Sequence, residues 1–172
     1  KTTVDALPYY LEKKNIDLFV RHGVLTETEI RSRYEIQLDS YAKLIDVEAK
    51  TMARMARREI LPASIGYSDE LANGLSAKAA IGIDIAKTAD KRLIDKLIAL
   101  KDKLLKATGK LEKDIKTSSS MKDALTLARY HRDAMIPDMD KLRAIADELE
   151  TLVDKTYWPF PTYTEILSSV MY

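Results

Sequence analysis

The chain has 172 residues, of which 46% are hydrophobic and 32% charged, and it contains only five glycines and five prolines. This composition is typical of a single folded, helix-rich domain and argues against intrinsic disorder. Lysine and arginine total 28 against 27 for aspartate and glutamate, so no excess charge favours nucleic acid or anionic lipid as a partner. The absence of cysteine excludes disulfide frameworks, thiolate nucleophiles and Cys-based zinc sites.

The longest apolar stretches are interrupted by charges every few residues, and residues 1–5 do not resemble the start of a signal peptide. We therefore expect no membrane partner and a cytoplasmic location. The chain begins at Lys1 without an initiator methionine, which suggests a fragment of a longer protein.

Residues 1–25 read as a lead-in segment with one short helix, which stops at Gly23. Thr26 and Glu29 have the spacing of a capping box and mark the start of a long helix. Its apolar residues recur at steps of three, four or seven, which places them on one helix face. The capping box predicts that the helical bundle begins at residue 26. We expect the bundle to run to residue 172 and the whole chain to form a single domain.

Pro62 lies inside this first long helix and predicts a kink near Leu61, after which the helix continues to Asn73. A second periodic segment covers residues 84–116 and resembles a coiled-coil seam. A polar turn at residues 117–120, with Ser120 and Asp123 as a further capping box, precedes a third segment over residues 121–155, which Pro137 interrupts.

The aromatic strap, which we define as residues 157–163, contains the only tryptophan, one of the two phenylalanines and two prolines. Prolines 159 and 161 prevent a helix there, so we expect an extended segment followed by a short helix over residues 164–170. The predicted fold is all-α: an elongated antiparallel bundle of three long helices, with a short N-terminal helix and the aromatic strap ending in a short helix.

The sequence offers no recognisable catalytic constellation. His22 and His131 lie far apart and neither has a metal-ligand partner at helical spacing, the glycines form no phosphate-binding loop, and the serines lack a nucleophile-elbow context. We assign no catalytic, cofactor-binding or metal-binding residue to the chain.

Two sets of residues are candidates for packing or interface contacts. Arg54 and Arg58 belong to a basic side of the first long helix, which either grips a partner or is a solvated face paired with glutamates. The strap supplies Trp158, Phe160 and Tyr163, which must be buried on the chain's own core or on a neighbour.

Several segments carry a resemblance to a known family. Residues 139–150 and 158–163 resemble the C-terminal end of type III glutamine synthetases, and the beginning of the same family's helical extension is similar to four further segments, residues 15–19, 22–27, 32–36 and 60–63. Together they bracket nearly the whole chain. The chain departs from the expected aromatic finish at residues 168–170, where Ser168 is followed by Ser169 and Val170.

The resemblance implies a parent enzyme that joins ammonia to glutamate with ATP and Mg or Mn, through a γ-glutamyl phosphate, in a double-ringed homododecamer. Its active site would lie outside this segment, which needs no cofactor of its own and has the catalytic domain of the same chain as its partner. The expected function is a scaffold and assembly domain. The alternatives are an independent helical module that binds a regulatory protein, and a small enzyme built in the bundle core.

Overall fold

The structure is a computed structural model that describes residues 2–161 and 163–168, with the side chains of residues 163 and 164 left outside the description. Within these residues the chain is all-α and contains no strand. A 3₁₀ helix, Leu7–Leu11, joins the first two helices. The helices are α1 (Thr3–Ala6), α2 (Lys13–Arg21), α3 (Glu27–Met55), α4 (Leu61–Ala80), α5 (Ala89–Ser118), α6 (Ala124–Tyr130), α7 (Ile136–Glu150) and α8 (Tyr163–Ser168).

Two π-helical turns connect four of these helices without a break. The first π-turn, Ala56–Ile60, lies between α3 and α4, and the three together form a helix of 54 residues. The second π-turn, His131–Met135, lies between α6 and α7 in a helix of 27 residues. With α5, these are the three long helices that the periodicity predicts.

A proline follows each π-turn two residues later. The amide of Leu61 donates to the carbonyl of Ala56, and that of Ile136 donates to the carbonyl of His131, in the five-residue register of a π-turn. Such a widened turn relieves the clash between a proline ring and the carbonyl four residues earlier. It also tolerates a residue that has no backbone N–H to donate. The expected kink at Pro62 is therefore a π-turn, and α4 continues to Ala80 instead of ending at Asn73.

The residues form two compact units. Unit 1 comprises residues 1–51 and 111–139, and unit 2 comprises residues 52–110 and 140–172. In unit 1 a core cluster of Val4, Leu7, Leu38 and Ala128 brings the N-terminal helices, α3 and α6 together. The salt bridge from Arg132 to Asp5 also joins α1 to the second π-turn. The prediction of a single domain stays a prediction.

In unit 2, α4 and α5 run antiparallel. Lys78 pairs with Asp90 at 2.6 Å, and further along Lys101 Nζ donates to Ser68 Oγ at 2.9 Å, so the sequence positions advance in opposite directions. α7 joins them through Lys96 and Glu148, whose charged atoms are 2.8 Å apart. Buried leucines of α5, with Leu142 and Leu149 of α7, supply apolar core.

The helix ends agree with the sequence at one cap and differ at others. Glu29 N donates to Thr26 Oγ1 at 3.2 Å and Thr26 N donates to Glu29 Oε2 at 2.7 Å, which is the predicted capping box. The predicted box of Ser120 and Asp123 is wrong, because Asp123 itself caps α6 by accepting from the amide of Thr126. α5 begins at Ala89 and α7 ends at Glu150, so the second and third segments are shorter than predicted at those ends.

After α7, residues 151–161 contain turns and irregular backbone, and no helix passes through the two prolines of the strap. α8 follows as the expected short helix, although it begins at Tyr163. Residues 169–170, which the sequence places in the same helix, lie outside the described residues. Among the described helices, no window is both long and apolar enough to cross a membrane.

Candidate functional site

The two arginines singled out from the sequence lie on the surface of unit 2 around the first π-turn. Arg54 Nη1 is 3.5 Å from Glu59 Oε1, with more than half of the arginine side chain exposed, and Arg58 is exposed. At the start of α3, in unit 1, Arg31 pairs with Glu27 at 2.7 Å. Arg31 and Arg54 of α3 thus pair with glutamates four and five residues away, and the partner contact that the sequence also allows stays a prediction.

Trp158 and Phe160 come together in the aromatic strap. Their ring centroids are 6.1 Å apart in an edge-to-face arrangement, which is favourable for two aromatic quadrupoles. Both side chains are half-buried. They line a shallow cleft of about 460 Å³ with Lys155, Pro161, Glu165 and Ile166. The side chain of Tyr163 lies outside the described part of the chain.

The lining of the strap cleft combines charged and apolar side chains. Lys155 Nζ and Glu165 Oε1 form an ion pair of 2.6 Å that links the segment before the strap to α8. Ile166 and Leu167 on α8 are exposed by 48% and 76%. Exposed aliphatic side chains next to half-buried aromatic rings make this end of unit 2 suited to burial against another protein surface.

Tyr157 attaches the beginning of the strap to α4, which the sequence did not indicate. Its ring packs beside Tyr67, with centroids 5.7 Å apart. A Cβ atom at Gly66 would lie 3.2 Å from Cε1 of Tyr157, so the absent side chain lets the ring lie against the helix. A hydrogen bond to Glu70 raises the pKa of Tyr157, because the carboxylate accepts from the neutral phenol.

An open pocket of about 460 Å³ lies beside this contact. Its charged residues include Glu70, Asp154 and the ion pair of Lys78 with Asp90. The hydrogen bond from Lys78 lowers the pKa of the Asp90 carboxyl. The acidic side chains at this pocket have partners of their own in unit 2, because Glu70 accepts from Tyr157 and Asp154 accepts from the amide of Thr156.

His131 is a buried polar residue of unit 1 whose burial the sequence did not indicate. Its side chain belongs to the second π-turn and only 1% of the residue is exposed. Neither ring nitrogen has a hydrogen-bond partner among the residues that the structure describes. Burial lowers the pKa of the imidazole, and the carboxylate of Asp46 opposes that shift more weakly. In the sequence, the only indication of this burial is that apolar residues occur at helical spacing on either side of His131.

Within residues 2–161 and 163–168, three or more histidine, aspartate or glutamate side chains do not gather into a group that could hold a metal ion. His22 is exposed and His131 buried. The chemical features that the described residues do present are an apolar cleft at the strap, an open charged pocket and a buried imidazole.

Comparison with protein families identifies the class of this helical structure. The model of the glutamine synthetase C-terminal domain matches residues 1–79. That range covers the N-terminal helices, α3, the first π-turn and nearly all of α4. Over this range, a little under half of its length, the chain is similar to the glutamine synthetase C-terminal domain family.

Curated relatives extend the match to nearly the whole chain. A glutamine synthetase of Butyrivibrio fibrisolvens is 35% identical over 178 aligned residues, which cover 99% of this chain and 24% of the relative. A type-3 glutamine synthetase of Dictyostelium discoideum is 28% identical over 171 residues, covering 96% of this chain and 23% of the relative. A glutamine synthetase of Bacteroides fragilis is 22% identical over 95% of this chain.

The chain therefore spans about a quarter of the length of these relatives. The resemblance to the C-terminal helical domain of type III glutamine synthetases is confirmed. It was carried by segments at both ends of the chain, and the alignments cover the stretch between them as well.

Proposed function

We propose that this chain is the non-catalytic C-terminal scaffold and assembly domain of a type III glutamine synthetase. The parent enzyme would make glutamine from glutamate, ammonia and ATP in the cytoplasm, as a dodecamer. The observation that carries this proposal is the pattern of coverage: nearly all of this chain aligns with about a quarter of each relative.

The surface chemistry of unit 1 supports an assembly role. On α3 the aliphatic residues Ile36, Leu44 and Val47 are each about 60% exposed, and the preceding segment exposes Leu18 and Val24. Ile36 and Val47 are eleven residues apart, close to three full helical turns, so they lie on the same side of the helix. Covering such aliphatic side chains with another surface lowers the free energy, because it removes apolar area from water. The first candidate for that surface is the remainder of the parent chain.

ATP and Mg or Mn would belong to the catalytic part of the parent enzyme. We assign no residue of this chain to either of them. In the same proposal, the catalytic domain of the same chain and neighbouring subunits of the oligomer are the partners of the exposed helix faces.

The direct test removes residues from Glu27 onward in the full-length synthetase and measures particle mass by sedimentation, together with glutamine formation. We expect smaller particles and reduced activity, because the surfaces that join subunits would be lost. An intact, fully active dodecamer after this deletion would contradict the assembly role.

A finer test keeps the domain in place. Val47→Glu introduces a charge on the exposed aliphatic side of α3, and Thr28→Glu introduces the same charge at an exposed polar position about 100° around the same helix from Val47. We expect only Val47→Glu to shift the full-length enzyme toward smaller particles, since burying an unpaired carboxylate is unfavourable. Equal behaviour of the two variants would argue against contacts at this face.

The alternative function, an independent module that binds a regulatory protein, is favoured by the apolar end of unit 2 at the strap and α8. Under that hypothesis Trp158→Ala would abolish stoichiometric binding of a separate protein while the full-length oligomer stays intact. A change in oligomer mass by the same substitution would favour the assembly role instead.

A further inference from the structure

The second π-turn contains a buried ionisable group that the proposed function does not use. Only 1% of His131 is exposed, and Met135, at the other end of the turn, is fully buried. An uncharged imidazole has one donor and one acceptor, and here neither has a partner among the described residues. Burying such groups without hydrogen bonds is unfavourable, so each instance in a folded protein calls for an explanation.

The carboxylate of Asp46 on α3 is the charge that acts on the His131 ring, and it is already paired with Lys50 at 2.6 Å. Charged groups that contact the neighbouring residues of the chain are paired as well. The buried Asp114 of α5 accepts a hydrogen bond of 3.0 Å from Tyr130, the residue before His131.

The turn's own charges, Arg132 and Asp133, pair with each other, and the arginine also pairs with Asp5 of α1. Tyr41 of α3 lies within reach of both charges. Asp46, the carboxylate that acts on the ring, is therefore engaged with Lys50 while the ring is uncharged.

A proton on this ring would place a positive charge in the core of unit 1. Transfer of an unpaired charge from water into a protein interior is strongly unfavourable, and the nearest opposite charge, Asp46, would have to leave Lys50 to compensate it. An opened turn lets the imidazolium reach water instead. The π-turn is a suitable place for such opening, since its hydrogen bonding already departs from the regular helix.

We propose that the second π-turn is an acid-sensitive conformational switch within unit 1, packed while the His131 ring is uncharged and opened when the ring takes up a proton. Burial depresses the pKa of His131 below its ordinary value of 6.5. The open state consequently binds a proton at higher pH than the packed state. The packed state loses stability as the pH falls from about 6.5 toward the depressed pKa, and its stability is constant above that window.

Amide hydrogen exchange of the 172-residue chain at pH 7.5 and pH 5.0, corrected for the intrinsic rates, tests this inference. We expect the protection of residues 131–135 to fall about ten-fold for each unit by which the pKa is depressed within that range. Residues 97–104 of unit 2, around buried leucines, provide the internal control and should change by less than about two-fold. Unchanged protection of the turn between the two pH values would overturn the proposal.

Two substitutions assign the effect to the ring. His131→Leu should abolish the pH dependence of the turn, and the matched variant His22→Gln, at the exposed histidine, should leave it as in the wild type. Loss of the pH dependence in His22→Gln, or its persistence in His131→Leu, would refute the assignment.

A second measurement holds even where His131→Leu does not fold. NMR titration of the imidazole carbons in the wild-type chain should give His131 a pKa below 6.5, and a value at or above 6.5 would overturn the proposal. Lys50→Ala should raise that pKa, because Asp46 then becomes free to pair with the charged ring. An unchanged pKa in Lys50→Ala would contradict the proposal that the pair with Lys50 prevents Asp46 from compensating the charged ring in the packed state.

Discussion

In Ala56–Ile60 and in His131–Met135 the helix widens over five residues, and in both a proline follows two residues later. The first turn, in unit 2, buries Ala56 and Ile60, whereas the second, in unit 1, buries His131 and Met135. The same backbone device therefore serves an apolar core in one unit and a core with an ionisable ring in the other. The two turns share the proline and the widened backbone, and they differ in the buried side chains, of which only His131 can be ionised.

Truncating the aliphatic member of each turn should produce the largest effects. Ile60→Ala and Met135→Ala each remove a buried side chain and leave a cavity, which costs about 2–5 kcal/mol of unfolding free energy. Urea unfolding followed by amide NMR in the affected unit measures the loss. A loss below about 1 kcal/mol in only one variant would show that the two turns pack with different tightness.

Proline placement separates the turns from ordinary helix. Asp69→Pro puts a proline at an exposed position inside α4, where no widened turn precedes it, and should cost about 3 kcal/mol or more. Asp69→Ala is the matched control. Pro62→Ala should change stability by far less than Asp69→Pro, because the widened turn already accommodates the ring, and equal losses would refute this account of the π-turn.

The caps of the two interrupted helices allow a smaller comparison. Thr26→Ala removes the hydroxyl that accepts from the amide of Glu29 and should cost about 1 kcal/mol. Thr26→Ser keeps the acceptor and should stay close to the wild type in thermal unfolding. Equal destabilisation by both substitutions would mean that the threonine methyl group, not the cap, stabilises the beginning of α3.

Acid should weaken both caps in the same direction. Hydrogen bonds from Thr26 lower the pKa of Glu29, and those from Thr126 lower the pKa of Asp123. Because each folded-state pKa lies below its ordinary value of 4.5 or 3.8, the caps contribute stability above those values and lose it as the pH falls through the depressed pKa. Glu29→Gln and Asp123→Asn should reduce the acid sensitivity of unfolding between pH 5 and pH 2, and unchanged profiles would argue against it.

The sequence predicts the helices better than it predicts the turns between them. The capping residues Thr26 and Glu29 bond as their spacing indicates, and aliphatic periodicity locates buried leucines such as Leu97 and Leu104. Pro62 indicates that the helix is disturbed but not whether it kinks or forms a π-turn, since both can accommodate a residue without a backbone N–H.

Buried polar residues escape sequence analysis for a physical reason. Ser64 and Ser68 are fully or nearly fully buried because each hydroxyl donates to a backbone carbonyl of its own helix, which removes the penalty for an unpaired donor. His131 is buried without such a bond, and nothing in its residue type indicates that. The sequence likewise gives no indication that the ring of Tyr157, at the beginning of the strap, packs against Gly66, where there is no side chain to obstruct it.

Of the candidate residues, Trp158 and Phe160 come together as rings in contact, whereas Arg54 and Arg58 lie on an exposed helix surface. The assignment of these residues to an interface stays a prediction.

The edge-to-face contact of Trp158 with Phe160 has a practical consequence for spectroscopy. Trp158 is the only tryptophan of the chain, and it belongs to unit 2. Intrinsic emission excited at the indole band will therefore report on the surroundings of the strap in unit 2. A fluorophore introduced into unit 1 would give each unit its own optical signal, so that separate melting of the two could be observed in a single sample.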